Sequence, residues 1–473
     1  GALVRAGLGQ GLEAAVDGRL ERQRHELRDV LALAGDTDIV WSPSGTDATL
    51  HAIAIARAVL GTPLVSVVAA ADETGSGVAY ASCGKHFNSR TAQGAVVEKG
   101  DPIRGLADDM ASVAVPLRDA NGGMRSPAQM DEAVTAAVSR AASAGSRVLL
   151  HAMDHSKLGG RCPSLDCLRR IRARWGAAVQ IVIDACQMRL GRRRLAWHLG
   201  QGHLVLVTGS KFFTGPPFCG ALLVPASLSV AMAGLAAVPP GLGDYTGRSD
   251  WPRAWQGVRA MLPERVNLGQ LLRWTAALEE MQAYFAVPEP FRTLAFARFA
   301  AIVPELIAGH ADLSLLPDGE RSRSGSADGL DDGEMATRTI FPFTLRRGAR
   351  LLSPAEAQRV YRALNEDVAA ILPPTASVAE RQLAARLCHI GQPVEIPGVG
   401  GDSAAALRIS AGARIVSENW SDAGEAVALR NLQREFAQIR TILDKVDLLL
   451  RNLAALEHRA LPPTPKAPAR ATG

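Results

Sequence analysis

The chain is poor in lysine, with only six in 473 residues: Lys85, Lys99, Lys157, Lys211, Lys445 and Lys466. Almost all of its positive charge is arginine, which reads as coding bias. A nucleic-acid footprint would gather basic residues on one element, and the densest run, Arg189 to Arg194, reads as a solvated surface turn. Aromatic residues make up 5%, which disfavours an aromatic-rich sandwich. The six cysteines form no Cys-x-x-Cys pair, so zinc and a disulfide framework are both poorly supported. No apolar run is long enough to span a membrane, no secretory leader is evident, and there is no Gly-x-Gly-x-x-Gly turn or Walker loop. No internal repeat is evident either. The expectation is a cytoplasmic protein with no nucleic-acid or membrane partner.

What is present is a large apolar content. Hydrophobic residues account for 47%, and net charge is a mild +5. Candidate strands at 38–41, 64–68, 112–116, 148–153, 180–184, 203–208 and 221–224 alternate with helical patterns at 48–60, 130–144 and 165–175. That alternation predicts an α/β fold with a mixed, mainly parallel seven-stranded sheet covered on both faces. A helical segment over 1–35 precedes it. The large domain is expected over 36–290 and a smaller α+β domain over 291–460, with strands at 313–316, 339–345 and 405–409 and a helix or helix pair over 421–458. The polar stretch 317–334 reads as a mobile loop and 461–473 as a disordered tail.

Two strand candidates end in chemistry. Ile181-Val182-Ile183-Asp184 and Val205-Leu206-Val207-Thr208-Gly209-Ser210-Lys211 each run from apolar residues into a charged one. A buried parallel strand reads this way, with function at its carboxyl end. Asp184 taken alone could equally cap the next helix. Lys211 is expected to be buried, where an amine is a good nucleophile. An acid and an amine at neighbouring strand tips suit pyridoxal 5′-phosphate, which needs an amine for its aldehyde and an acid for its ring nitrogen. Ser44-Gly45-Thr46, between a strand and a helix, offers backbone amides and hydroxyls to a phosphate. Thr208 and Ser210 add two hydroxyls beside the lysine, and Gln187 could reach the phenolic oxygen. Lys157 is the rival amine but lacks the upstream acid and the downstream Gly-Pro.

Ser44-Gly45-Thr46-Asp47-Ala48, Asp184-Ala185-Cys186-Gln187 and Thr208-Gly209-Ser210-Lys211 followed by Gly215-Pro216 resemble fold-type I pyridoxal-phosphate enzymes. The nearest branch is that of class V aminotransferases and cysteine desulfurases. The resemblance implies a PLP-dependent transferase fold of the aspartate aminotransferase type, a homodimer, and a small amino-acid substrate. It implies Lys211 as the catalytic Schiff-base residue and Asp184, Gln187, Gly45, Thr46, Thr208 and Ser210 as cofactor contacts, with Ser156 near the ring oxygen. Arg408 would hold the substrate carboxylate, as a guanidinium fork suits a carboxylate.

The chain also departs from that branch. The loop that usually carries a stacking histidine or aromatic reads Asp72-Glu73-Thr74-Gly75-Ser76-Gly77, with Thr74 and Gly75 against the ring, and His86 or Phe87 could fill the space above. Ser210 replaces the histidine before the lysine, and Cys388 does not align with the desulfurase nucleophile. The implied reaction is at the α-carbon of an amino acid, through an external aldimine and quinonoid. It is aminotransferase-like or, alternatively, a β/γ-elimination, replacement or carbon–carbon bond-forming reaction. A non-catalytic binding protein of the same fold is the third possibility.

Overall fold

The computed structural model describes residues 9, 11–119, 123–234, 238–316, 330, 332–397 and 403–458. These divide into two compact units, with several chain crossings between them. One takes the described residues of Gly1–Ala300, Pro317–Ile340 and Ala411–Leu432, and the other those of Ala301–Leu316, Phe341–Ser410 and Gln433–Gly473. The expected division at 290 is thus replaced by an interleaved one. The expected tail at 461–473 lies outside the described residues, as does the expected loop at 317–334 apart from Leu330 and 332–334.

The first unit holds a seven-stranded sheet of β1 (Asp38–Ser42), β2 (Leu64–Ala69), β3 (Met110–Val115), β4 (Arg147–Met153), β5 (Val179–Asp184), β6 (Leu204–Thr208) and β7 (Gly220–Val224). Their order is β1-β7-β6-β5-β4-β2-β3. Parallel pairing runs from β6 through β5, β4 and β2 to β3, and β7 alone is antiparallel to both its neighbours. The fold is therefore the mixed, mainly parallel α/β sheet expected. All six parallel strands end at one edge, where such sheets place their ligands. β6 and β7 are buried at every position, so they read as unbroken apolar runs rather than alternating ones.

The longer helices of this unit include α1 (Leu12–Leu31), α2 (Gly45–Leu60), α3 (Pro127–Ser143), α4 (Leu165–Trp175), α5 (Arg192–Gly200), α6 (Leu268–Ala286) and α7 (Glu289–Ala308), the last continuing into the second unit. Serine caps start α2, α3 and α4, each accepting a hydrogen bond from the amide three residues on. α2 begins three residues earlier than its apolar pattern predicts because Ser44 supplies that cap. Its buried face packs Ala48, Ala52, Ile53 and Ala56 onto Val40, Leu149, Val182, Leu206 and Leu222 of the sheet. α1 is part of this unit rather than a separate segment. The fully buried Arg24 donates to the carbonyls of Ile39 (2.8 Å) and Ser249 (2.9 Å), and Gln23 donates to that of Leu271 at 3.0 Å. α1 stops at Leu31, short of Gly35, because Ala32 turns left-handed at φ 53° and its amide bonds back to Asp29.

The second unit carries a smaller sheet of β8 (Leu313–Leu315), β9 (Ile340–Arg347), β10 (Arg350–Leu351), β11 (Gly391–Pro397) and β12 (Ser403–Ser410), with order β10-β9-β12-β11 and β8 also on β9. Its helices include α8 (Pro354–Leu364) and α9 (Val378–Ala385). The long C-terminal helical stretch resolves into α10 (Glu425–Arg451) and α11 (Leu453–His458). Lys445 is fully buried, and its ammonium donates to the carbonyls of Leu364 (3.0 Å), Glu366 (2.9 Å) and Arg386. It satisfies acceptors that the end of α8 leaves open. Among the described residues no helix is long and apolar enough to cross a membrane.

Two expectations follow for stability. A Cβ added at Gly209 would lie 2.5 Å from the Ala277 methyl on α6 and 3.0 Å from the Cys219 sulfur. Gly209→Ala should cost about 1–3 kcal/mol in urea melts, as overpacking does, and Ala277→Gly in the same chain should recover part of it. The second concerns Asp47, in the first turn of α2. Burial lifts its carboxyl to about 6, against the pull of the Ser44 hydroxyl. A carboxyl raised on folding stabilises below its unfolded value and loses that contribution as pH rises through about 6. Asp47→Asn should therefore gain up to about 3 kcal/mol relative to the parent between pH 4 and pH 7.5. Equal offsets in denaturation curves at the two pH values would show that Asp47 is not raised.

Candidate active site

The edge where the parallel strands end brings together the residues singled out from the sequence in this unit. β1 leads through Ser44 into α2, whose first-turn amides at Gly45 and Thr46 take no part in the helix's own ladder. That helix start lies against the turn after β5. A Cβ on Gly45 would meet the Cys186 sulfur at 2.3 Å, so only glycine allows the approach. The loop after β2 packs on the same helix start: a Cβ on Gly77 would sit 2.9 Å from the Thr46 methyl, and one on Gly75 would sit 3.5 Å from the Thr46 hydroxyl.

Asp184 closes β5, half-buried. One carboxylate oxygen accepts from the Thr74 hydroxyl at 3.3 Å, the other from the Cys186 amide at 3.1 Å. The amide contact is the local turn expected of an Asp two residues before a bend. Among the described residues no cation pairs with Asp184. Lys211 stands three residues past β6, and among the described residues no carboxylate pairs with its amine. The expectation that Lys211 is buried is corrected: the apolar strand ends at Thr208, and Gly209 and Ser210 carry the lysine out to an exposed position. What is buried is its anchor. Phe212 and Phe213 pack edge-on to each other at 5.0 Å and to Tyr284 at 5.3 and 5.7 Å.

The Cys186 thiol links the two charged groups. Burial pushes it well above its usual value, the Asp184 carboxylate pushes it further, and the Lys211 ammonium pulls it down. One side chain is thus within electrostatic reach of both. Across the sheet, His151 on β4 is buried on the same face as Asp184, its register partner being Val182. Burial holds that imidazole down at about 4, with Asp184 pulling upward.

Other expected residues have different employment. The Thr208 hydroxyl donates to the Cys186 carbonyl at 2.7 Å, bracing the turn that carries Gln187. Ser156 is buried: its hydroxyl donates to Glu73 at 2.5 Å and accepts from the amides of Leu158 (3.3 Å) and Gly160 (2.8 Å). It is a scaffold group in the loop after β4. Ser210 and Gln187 are half-exposed at the rim of the strand ends. His86 is held against Tyr245, ring nitrogen to hydroxyl 2.6 Å, while its neighbour Phe87 lies against the position of Gly77. Arg408 belongs to the second unit. It lies on β12 opposite Gly391, where a Cβ would strike its side chain at 2.3 Å, and it donates to the Gln392 carbonyl at 3.1 Å.

Three groups escaped the sequence reading. Glu73 is fully buried within a glycine-rich loop, bridged to Arg118 at 3.0 Å as well as to Ser156. Asp154, at the tip of β4, binds His155 (2.8 Å) and Arg161 (3.3 Å). Burial would raise it, yet Arg161 and His155 hold it well below the carboxylate range. Arg189, taken as part of a surface turn, is buried: it donates to Thr339 (2.6 Å) and to the Ala411 carbonyl (2.8 Å) and lies over the Phe212 ring at 5.4 Å. The available signal was position, since each lies within a few residues of a strand tip.

No family model and no curated protein matches the chain. Among solved structures it is similar to mouse CSAD at 14% identity, covering 93% of this chain and 76% of that one with a TM-score of 0.46. It is similar to a phosphoserine aminotransferase from Cytophaga hutchinsonii at 10% identity, covering 91% and 92% with a TM-score of 0.47. It is also similar to a serine palmitoyltransferase from S. paucimobilis, determined with a bound PLP–myriocin aldimine, at 13% identity, covering 90% and 76% with a TM-score of 0.45.

Proposed function

We propose that the chain is a pyridoxal-phosphate-dependent enzyme acting at the α-carbon of an amino acid, with aminotransferase-like chemistry. One observation carries the reading. A half-buried carboxylate without a cation and an amine without a carboxylate stand within reach of one thiol, beside a helix start with unspent amides. Opposite charges at neighbouring strand tips attract each other. Left apart, they fit a bound group that takes a separate contact from each.

Pyridoxal phosphate supplies an aldehyde for amines and a ring that withdraws electrons from the attached carbon. The residues fit such a group. The amides of Gly45 and Thr46, with the Thr46 hydroxyl, face an anion with the favourable end of the α2 dipole. Asp184 holds a proton at the ring nitrogen, and Thr74 fixes the orientation of that carboxylate. Gln187 is the donor for the phenolic oxygen. Lys211 would offer its amine to the aldehyde, and as a free amine it would be the base for the α-proton. Ser210 and Thr208 shape the phosphate side through the turn they occupy.

A second reading keeps the cofactor but changes the outcome to β/γ-elimination, replacement or carbon–carbon bond formation. The small residues Thr74 to Gly77, packed on Thr46, favour it because they leave space above the ring. The working form is taken as a cytoplasmic homodimer. The exposed apolar side chains Phe218 (61%) and Leu272 (62%) support an interface on this unit, and light scattering of the purified chain would measure the mass directly.

Borohydride reduction of cofactor-loaded protein, followed by peptide mass analysis, should place a pyridoxyl label on Lys211 and on none of the other lysines. Lys211→Ala should abolish both the label and the visible absorbance band. A label elsewhere, or none, would overturn the assignment. Asp184→Asn should keep the label but slow α-proton exchange in a panel of amino acids by about 10²–10³-fold, the usual effect of removing one preorganised electrostatic group. Unchanged exchange rates would remove Asp184 from the chemistry. Label without exchange of any amino acid would favour a binding protein, and release of ammonia would favour elimination.

A further inference from the structure

Successive residues of a strand face opposite sides of a sheet. While Asp184 points toward α2, its neighbour Ile183 points the other way and lines a cavity of about 140 Å³ beneath α3 and α4. Its apolar wall includes Leu117, Met130, Ala152, Leu165, Leu168 and Ile183. Cavities of about this size with aliphatic linings accept a benzene-sized body.

The charged groups around that wall are mostly spent. Arg161 binds Asp154 at 3.3 Å and Asp332 at 3.2 Å, and Arg194 binds Asp332 at 2.6 Å. Asp131 accepts from the Ser164 amide (2.8 Å) and hydroxyl (2.5 Å) and faces Arg170 at 3.6 Å, while Asp166 pairs with Arg169 at 2.7 Å. Burial holds His198 at about 3, so it is neutral at physiological pH. Arg125 differs. It lines the cavity and is half-exposed, and its guanidinium makes one hydrogen bond, to the Pro116 carbonyl at 2.5 Å, with no carboxylate partner among the described residues.

We propose that this cavity is a binding site for a small carboxylate with a compact apolar body, its carboxylate on Arg125 and its body between Met130, Leu168 and Ile183. The chemistry is that of an aromatic or branched aliphatic acid. A free amine in its place would meet the guanidinium with like charge, and a neutral molecule would leave the cation unused. The site stands on the opposite face of the sheet from Asp184 and does not rest on the cofactor reading.

Titration calorimetry of the full chain with benzoate, benzylamine and benzyl alcohol tests it. Benzoate should bind and benzylamine should not, with benzyl alcohol weaker than benzoate. Arg125→Gln, at a half-exposed position that should leave folding intact, should weaken benzoate by about tenfold or more, the range for a hydrogen bond to a charged group. Ala152→Met, which fills the cavity, should abolish binding; should that variant not fold, the Arg125→Gln comparison decides alone. Lys211→Ala should leave benzoate affinity unchanged. The proposal is overturned by no heat or chemical-shift response to benzoate up to about 20 mM, an affinity far below any useful recognition. It is equally overturned by equal affinity in Arg125→Gln, or by loss of binding in Lys211→Ala.

Discussion

The candidate site depends on one contact in which a side chain is missing. Gly45 opens α2 directly against the Cys186 sulfur, at a distance no Cβ could occupy. That approach sets the free amides of the helix beside the tip of β5 and so beside Asp184. A methyl group at position 45 would push the helix start away from the strand end and separate the anion-binding end of the dipole from the acid. The same thiol is kept neutral by burial and by Asp184, so the wedge introduces no charge of its own between the two functional groups.

The charges themselves are kept apart by backbone. Asp184 is turned toward Thr74 and its own turn, whereas Lys211 is carried outward by Gly209 and Ser210. Gly209 is pinned in turn by α6, since Ala277 leaves no room for a side chain there. The aromatic anchor of Phe212 and Phe213 fixes the far side of the lysine. The amine is exposed, so a bound group, rather than burial at the end of the apolar strand, would have to supply the environment that activates it. The reading therefore places more weight on the acid at 184 and the helix start than a buried lysine would have required.

Much of this was legible in the sequence because the strands of a parallel sheet declare themselves. β6, and β5 from Ile181 onward, are apolar without alternation, and the change to a polar residue marks their tips. The seven strands and the convergence of Ser44-Gly45-Thr46, Asp184 and Lys211 followed from those transitions. What did not follow were features set by tertiary partners. Lys211 was expected inside because an apolar run precedes it, but the run ends three residues earlier. Arg24 and Gln23 gave no local sign that α1 would be tied to β1 and α6. Chain segments returning between units, such as 411–432, cannot be read from composition, because both units draw on the same apolar alphabet. Ser156 looked available as a lone hydroxyl in a polar loop, and its commitment to Glu73 is visible only once β2 and β4 lie side by side.

Glu73 changes the meaning of the loop it belongs to. Thr74-Gly75-Ser76-Gly77 has the composition of a mobile segment, yet its first neighbour is a fully buried carboxylate bound to Arg118 and Ser156. Removing Arg118 would take the guanidinium from a carboxylate held in the interior, a cost that a flexible loop would not absorb. The loop is therefore fixed at its base. Gly77 meets Thr46 and Phe87 so closely that a Cβ there would sit 2.9 Å from the Thr46 methyl, so this glycine is required by packing against the start of α2. His86, the other residue in sequence reach, is bonded to Tyr245. A cover for a ring bound beside Asp184 would therefore have to come from outside this loop.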